Sequence, residues 1–128
     1  MSGYLLDTHV LLWFVEADPR LSDRAKDLLT NDDTNLSVSI VSLWEIVIKL
    51  NIGKLKIDYT TGDIYQLLDQ LHVEVLPIEH TNLDCYLTLP LHHRDPFDRV
   101  LIAQAMNRRL ALVSADQALH PYEVEQLW

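Results

Sequence analysis

His92-His93-Arg94-Asp95-Pro96-Phe97-Asp98-Arg99-Val100-Leu101-Ile102-Ala103-Gln104-Ala105 passes within a few residues from polar and charged to almost uniformly apolar. Pro96 suits the first position inside a helix, where a missing N–H costs nothing. Asp95 then falls on the N-cap and Asp98 on the third helical position. Both are places where a carboxylate answers unpaired N–H groups and the positive end of the helix dipole. Leu101, Ile102 and Ala105 follow Asp98 at helical spacing, so its carboxylate heads a stripe that faces a core. Such an acid is either a cap or part of a site, and this segment alone leaves both open.

Outward from that segment, apolar strands alternate with helical patterns. Tyr4-Leu5-Leu6 reads as a buried strand ending at Asp7. Thr8 then caps a helix through Val10, Leu11, Leu12, Phe14 and Val15 to about Ala17, before Asp18-Pro19. Ser22 with Asp23 starts a second helix over Ala25, Leu28 and Leu29, which dissolves in the turn-rich stretch from Asn31 to Asn35. Leu36-Ser37-Val38-Ser39 alternates like a strand. Ile40 to about Asn51 reads as a third helix, apolar on nearly every side and closed by Gly53 in a left-handed conformation. After Leu55-Lys56-Ile57 comes a helix from Thr61 through Ile64, Leu67, Leu68 and Leu71, then a strand, Val73 to Leu76, stopped by Pro77. A helix from about Thr81 to Leu87 precedes Pro90. Beyond Arg108-Arg109 lies a buried strand, Leu110 to Val113, and the tail from Val124 to Trp128 reads as a last edge strand. This alternation is the pattern of an α/β fold with a parallel sheet.

The 128 residues suit one domain over residues 1–128, large enough for a core without staples. A hydrophobic content of 48% is that of an ordinary globular protein. The single cysteine, Cys85, excludes an internal disulfide and points to a reducing compartment, the cytoplasm. The N-terminal apolar run lacks a basic flank and meets Asp7 at once, unlike a signal peptide. No run approaches the ~18 apolar residues of a membrane span. The formal net charge of −9 argues against a bare phosphate-backbone binder, and leaves open a local basic rim, bridging metal ions or an acidic cleft.

Two apolar strands end in acids: Asp7 directly, and Asp116 after Ser114-Ala115. Ligands of open α/β sheets bind beyond the carboxyl ends of strands, so the two acids share a crevice if both strands are central and parallel. Glu45 lies inside an apolar helix and Asp98 heads another. Two carboxylates about 4 Å apart repel by roughly 4 kcal/mol at an effective dielectric near 20. Converging acids therefore hold protons or bind a divalent ion, and oxygen donors suit Mg²⁺ or Mn²⁺. Such an ion activates water against a phosphodiester. The structural alternatives are specific: Asp7 and Asp95 as helix caps, Asp98 as a capping-box acid, and Asp116 as a turn residue. Glu45 is hardest to explain that way, because a buried glutamate needs a partner.

Thr8 and Ser114 are placed to orient neighbouring acids. Lys49, Arg94 and Arg99 lie near the acids in sequence and are candidates for holding phosphates. His92-His93 reads as a solvated loop pair, since His9, His72, His80 and His120 make no zinc-like spacing with it. Trp13 and Trp44 read as core residues. Glycines at 3, 53 and 62 form no phosphate loop, and no serine occupies a nucleophile elbow.

YLLDTHVLLWF at the start, SIVSLWEIVIKLNIGKL in the middle, HHRDPFDRVLIAQA late and LALVSAD before the tail occur in an order and spacing that resembles the PIN-domain family. Within that family the chain is similar to VapC-type toxin ribonucleases of type II toxin–antitoxin systems. The resemblance implies a three-layer α/β/α fold around a central parallel sheet of about five strands. It also implies an Mg²⁺- or Mn²⁺-dependent endoribonuclease, with RNA as substrate, a cognate antitoxin as inhibitory partner, and a homodimer. By position, Asp7 matches the first-strand acid, Glu45 the helix acid, Asp98 the helix-start acid and Asp116 the last acid, and all four are expected to be catalytic and metal-binding. Asp95 belongs to a DPFDR pattern of its own, and Ser114 stands where threonine is frequent. The apolar second and third helices fit a homodimer. Two other readings remain: a haloacid-dehalogenase-like phosphatase, which expects an acid where His9 stands, and a non-catalytic, receiver-like or protein-binding module.

Overall fold

A computed structural model describes residues 3–128. In chain order the elements are β1 (Tyr4–Leu6), α1 (Thr8–Val15), α2 (Asp23–Leu29), β2 (Leu36–Ser39), α3 (Ile40–Asn51), α4 (Thr61–Gln70), β3 (Glu74–Leu76), α5 (His80–Thr88), α6 (Pro96–Arg108), β4 (Ala111–Val113) and β5 (Gln126–Leu127). All five strands are parallel, in the order β3-β2-β1-β4-β5. The chain builds outward from β1 to β3, crosses back through α5 and α6, and lays β4 on the other side of β1. The strand order thus reverses between β1 and β4, where an open parallel sheet splits its connections and leaves a crevice at the strands' carboxyl ends. Asp7 and Asp116 follow those two strands.

Alternate residues of the short central strands enter opposite layers of core. Leu6, Val38 and Val113 pack with Val10, Leu11, Leu29, Ile46, Ile64 and Leu68 of α1 to α4. Leu5, Leu76 and Leu112 pack with Leu101, Ile102 and Ala105 of α6 and with Leu119 and Tyr122. Burial on both faces explains why β1 and β4 read as unbroken apolar runs. Helices on both sides give three layers, α/β/α.

The capping chemistry sets where helices begin. Asp95 is the N-cap of α6, its Oδ1 accepting from Phe97 N at 2.9 Å and Asp98 N at 3.4 Å, with Pro96 in the first turn. Ser22 caps α2 and Thr60 caps α4. At α1 the expected cap is corrected: Asp7, not Thr8, caps the helix, accepting from Val10 N at 2.8 Å, and Thr8 is its first residue. A carboxylate on the residue that still has extended backbone reaches the third amide, which a hydroxyl one position later cannot. The helix also ends at Val15 rather than near Ala17, because Ala17 takes φ 50° and Asp18 N bonds back to Trp13 O. Gly53 closes α3 at φ 76°, as expected.

Two further corrections concern apolar surface. Trp44 is 57% exposed, packed edge-on against Phe97 at 5.4 Å, and is not core. On α2 no large apolar residue is exposed, whereas α3 exposes Ile40, Trp44 and Val47, and α5 exposes Leu83 and Leu87. A helix as apolar as α3 outnumbers the core positions available to it, so one face is left facing solvent.

Candidate active site

Asp7 leaves β1 directly into the crevice. Its amide bonds Val113 O at 3.1 Å and its side chain is almost completely buried. That burial raises its pKa above the ordinary carboxylate value; the Ser114 hydroxyl, the Val10 N–H and His9 oppose the rise, and the Asp116 charge adds to it. Next to it, Thr8 Oγ1 donates to Glu45 Oε1 at 2.8 Å, and Lys49 Nζ donates to Glu45 Oε2 at 2.8 Å from one turn further along α3. The buried glutamate therefore has both oxygens answered, one by a hydroxyl and one by a half-exposed ammonium. Lys49 is engaged with this acid.

Asp98 sits one turn into α6, as its register requires. His93 Nε2 lies 2.8 Å from Asp98 Oδ2 and 3.8 Å from Asp116 Oδ2. The pKa of Asp98 is raised to about 6, first by burial and then by the charges of Asp95 and Asp7, against the hydrogen bond and charge of His93. Asp116 accepts from Ala118 N at 2.9 Å and keeps a side chain 41% exposed. Its loop is tied down twice: Ser114 Oγ accepts from Asp116 N at 3.1 Å, and Gln126 Nε2 donates to the carbonyls of Ser114 and Asp116 at 2.9 Å each.

The structure thus brings Asp98 and Asp116 together around His93, with Asp7 near enough for its charge to act on both. Glu45 is held instead by Thr8 and Lys49, outside that group. Asp95 caps α6 and adds charge. His93 corrects the reading of a solvated loop pair, and Gln126 was not singled out. The histidine's only sequence signal was its place five residues before Asp98, the two meeting because the loop folds back over the helix start.

Arg99 is also corrected. It is buried, and its guanidinium donates to the carbonyls of Pro90 at 3.0 Å, His93 at 3.3 Å and Leu89 at 3.4 Å and to Tyr122 Oη at 3.2 Å, while lying 4.7 Å over the Tyr86 ring. Those bonds commit it to the loop that carries His93, not to a phosphate. Arg94 is exposed, next to Asp95 in the chain.

The donor set fits a hard divalent ion. Carboxylates whose pKa values are raised by burial and by one another are under electrostatic stress that a cation relieves. Carboxylate oxygens are the donors such a cation prefers.

The PIN domain family model matches residues 4–124. The chain belongs to the PIN-domain family. Its fold is similar to that of a chain in the structure of VapBC2 from Rickettsia felis bound to a promoter DNA fragment, with TM-score 0.70 and 15% identity over 97% of this chain and 96% of that one. A toxin–antitoxin complex from Klebsiella pneumoniae aligns with TM-score 0.68 and 14% identity over 98% and 97% of the two chains. VapBC-5 from Mycobacterium tuberculosis, of the VapBC family of toxin–antitoxin systems, aligns with TM-score 0.64 and 17% identity over 99% and 98%. No curated protein sequence matches the chain. Among the described residues, no helix is long and apolar enough to cross a membrane.

Proposed function

We propose that this protein is an Mg²⁺- or Mn²⁺-dependent endoribonuclease, the toxin of a toxin–antitoxin pair, acting in the cytoplasm. The observation that carries this reading is the gathering of acids from separate elements at the β1/β4 crevice of a PIN-domain chain, two of them with pKa values raised by burial. Asp7, Asp98 and Asp116 would hold the ion, and Glu45 would add its charge from behind Thr8. The bound ion would polarise a phosphoryl oxygen and lower the pKa of a water that attacks phosphorus. Asp95 holds Asp98 at the crevice by fixing the helix start, and Ser114 and Gln126 hold the Asp116 loop. Arg94, exposed and next to Asp95 in sequence, would meet a phosphate, so that RNA approaches an acidic protein through the metal and a local basic contact.

The likeness to chains from toxin–antitoxin complexes supports a cognate antitoxin as partner. Exposed apolar residues on α3 and α5 support a homodimer. No observation favours the phosphatase, since the place two residues after Asp7 holds exposed His9. The protein-binding module predicts no cleavage at all. Purified protein is incubated with structured RNA and Mn²⁺ beside an Asp7→Asn variant. Cuts that need metal and disappear in the variant support the nuclease, whereas equal cutting by both proteins, or none by either, sinks it. Growth arrest on expression, relieved by the same substitution, tests the toxin role.

A further inference from the structure

A nitrogen atom stands among the oxygen donors of the crevice. One ligand atom each from His93, Asp98 and Asp116 lies within 4.8 Å of the others. Ligands sharing one octahedral ion at bonds of about 2.1 Å are separated by about 3.0 Å when adjacent and about 4.2 Å when opposite. The separation of His93 Nε2 from Asp98 Oδ2, 2.8 Å, is near that of an adjacent pair, and its 3.8 Å from Asp116 Oδ2 falls between the two spacings, so a small shift of the partly exposed Asp116 side chain seats all three on one ion.

The histidine is also held there from behind. His93 N donates to Tyr122 Oη at 2.9 Å, and Arg99 Nη1 donates to His93 O at 3.3 Å. Arg99 and Tyr122 are 6% and 5% exposed, and together they brace the loop from Leu89 to His93: Arg99 also donates to the carbonyls of Leu89 and Pro90, and Tyr122 Oη also accepts from His92 N at 3.1 Å. That bracing fixes where the His93 ring lies beside Asp98 and Asp116, and metal affinity depends on donors fixed before the ion arrives.

We propose that His93 is a nitrogen ligand of the divalent ion held by Asp98 and Asp116, and that it tilts this site toward Mn²⁺ over Mg²⁺. The inference rests on the metal-dependent nuclease reading. A neutral ring with its proton on Nδ1 leaves the Nε2 lone pair free for the ion, which takes the place of the hydrogen bond to Asp98. Mg²⁺ prefers oxygen ligands and water, whereas imidazole favours transition-metal ions, so a single nitrogen shifts selectivity without altering the carboxylates.

Pulsed electron paramagnetic resonance of the full chain with one equivalent of Mn²⁺ reads the bond directly. The bound ion should show ¹⁴N modulation, which becomes a ¹⁵N pattern when the histidines of the unaltered protein are ¹⁵N-labelled. The modulation should vanish in His93→Gln and persist in His9→Gln and His92→Gln. By calorimetry, His93→Gln should weaken Mn²⁺ binding about tenfold or more, with Mg²⁺ affinity changed by no more than about threefold. If Mn²⁺ binds and Asp98→Asn abolishes its binding, yet the wild type lacks nitrogen modulation or keeps it in His93→Gln, the ligand role is overturned and the metal reading stands. If no Mn²⁺ binds, both are overturned.

Discussion

Asp98 is pulled in two directions, and the conflict has a measurable consequence. Its pKa in the folded, metal-free protein is raised to about 6 from an ordinary 3.8. Between those values the folded state binds more protons than the unfolded state, so stability falls as pH rises through the window. Two pKa units at about 1.4 kcal/mol each put the loss near 3 kcal/mol, with Asp7 adding in the same direction. Melts in EDTA from pH 4 to pH 8 should therefore decline more steeply for the wild type than for Asp98→Asn; parallel curves would show that the burial stress is absent. The same variant should lose RNA cleavage by about a hundredfold or more, the scale of removing a group that stabilises developing charge. Loss of activity with a gain in metal-free stability separates an acid kept for chemistry from one kept for packing.

At the scale of elements, α6 and the loop before it act as one device. Asp95 and Pro96 determine the first turn, and that turn determines where Asp98 lies. Asp95→Ala should reduce stability by about 1 kcal/mol in urea unfolding, the usual worth of an N-cap, and lower cleavage as well through a frayed first turn. Unchanged cleavage would confine Asp95 to folding. Arg99→Met keeps much of the side-chain volume but leaves the carbonyls of Leu89 and Pro90 without their donor, and that of His93 with only the Tyr122 hydroxyl at 3.5 Å. The expected loss is about 2–4 kcal/mol by the same measurement, since each buried unpaired carbonyl costs about 1–3 kcal/mol and some regain water.

Across the whole molecule, the crevice depends on β1 lying between β2 and β4, and the outer faces of α3 and α5 carry apolar side chains that the core does not use. Leu87 is 83% exposed, so Leu87→Glu removes nothing from the folded protomer's interior. Sedimentation should show a wild-type dimer and a variant shifted toward monomer, both with the same melting behaviour at high dilution. A wild-type monomer at micromolar concentration would remove the dimer from the functional reading.

Much of this was legible along the chain because its causes are local. Unbroken apolar triplets mark strands buried on both faces, Asp-Pro marks the start of α6, Gly53 marks the end of α3, and acids at strand ends mark a crevice. Those signals act within about one turn of helix or one strand, so residue order alone determined the elements, their α/β alternation and the four candidate acids. Tertiary structure decided what lies across from what. His93 reaches Asp98 and Asp116, Arg99 serves a loop, Gln126 braces the Asp116 turn and Trp44 faces outward, all through contacts made by folding back or across the sheet. A histidine has the same identity in a solvated loop and against two carboxylates. Only the packing of Arg99 and Tyr122 beneath its peptide brings this one to the acids.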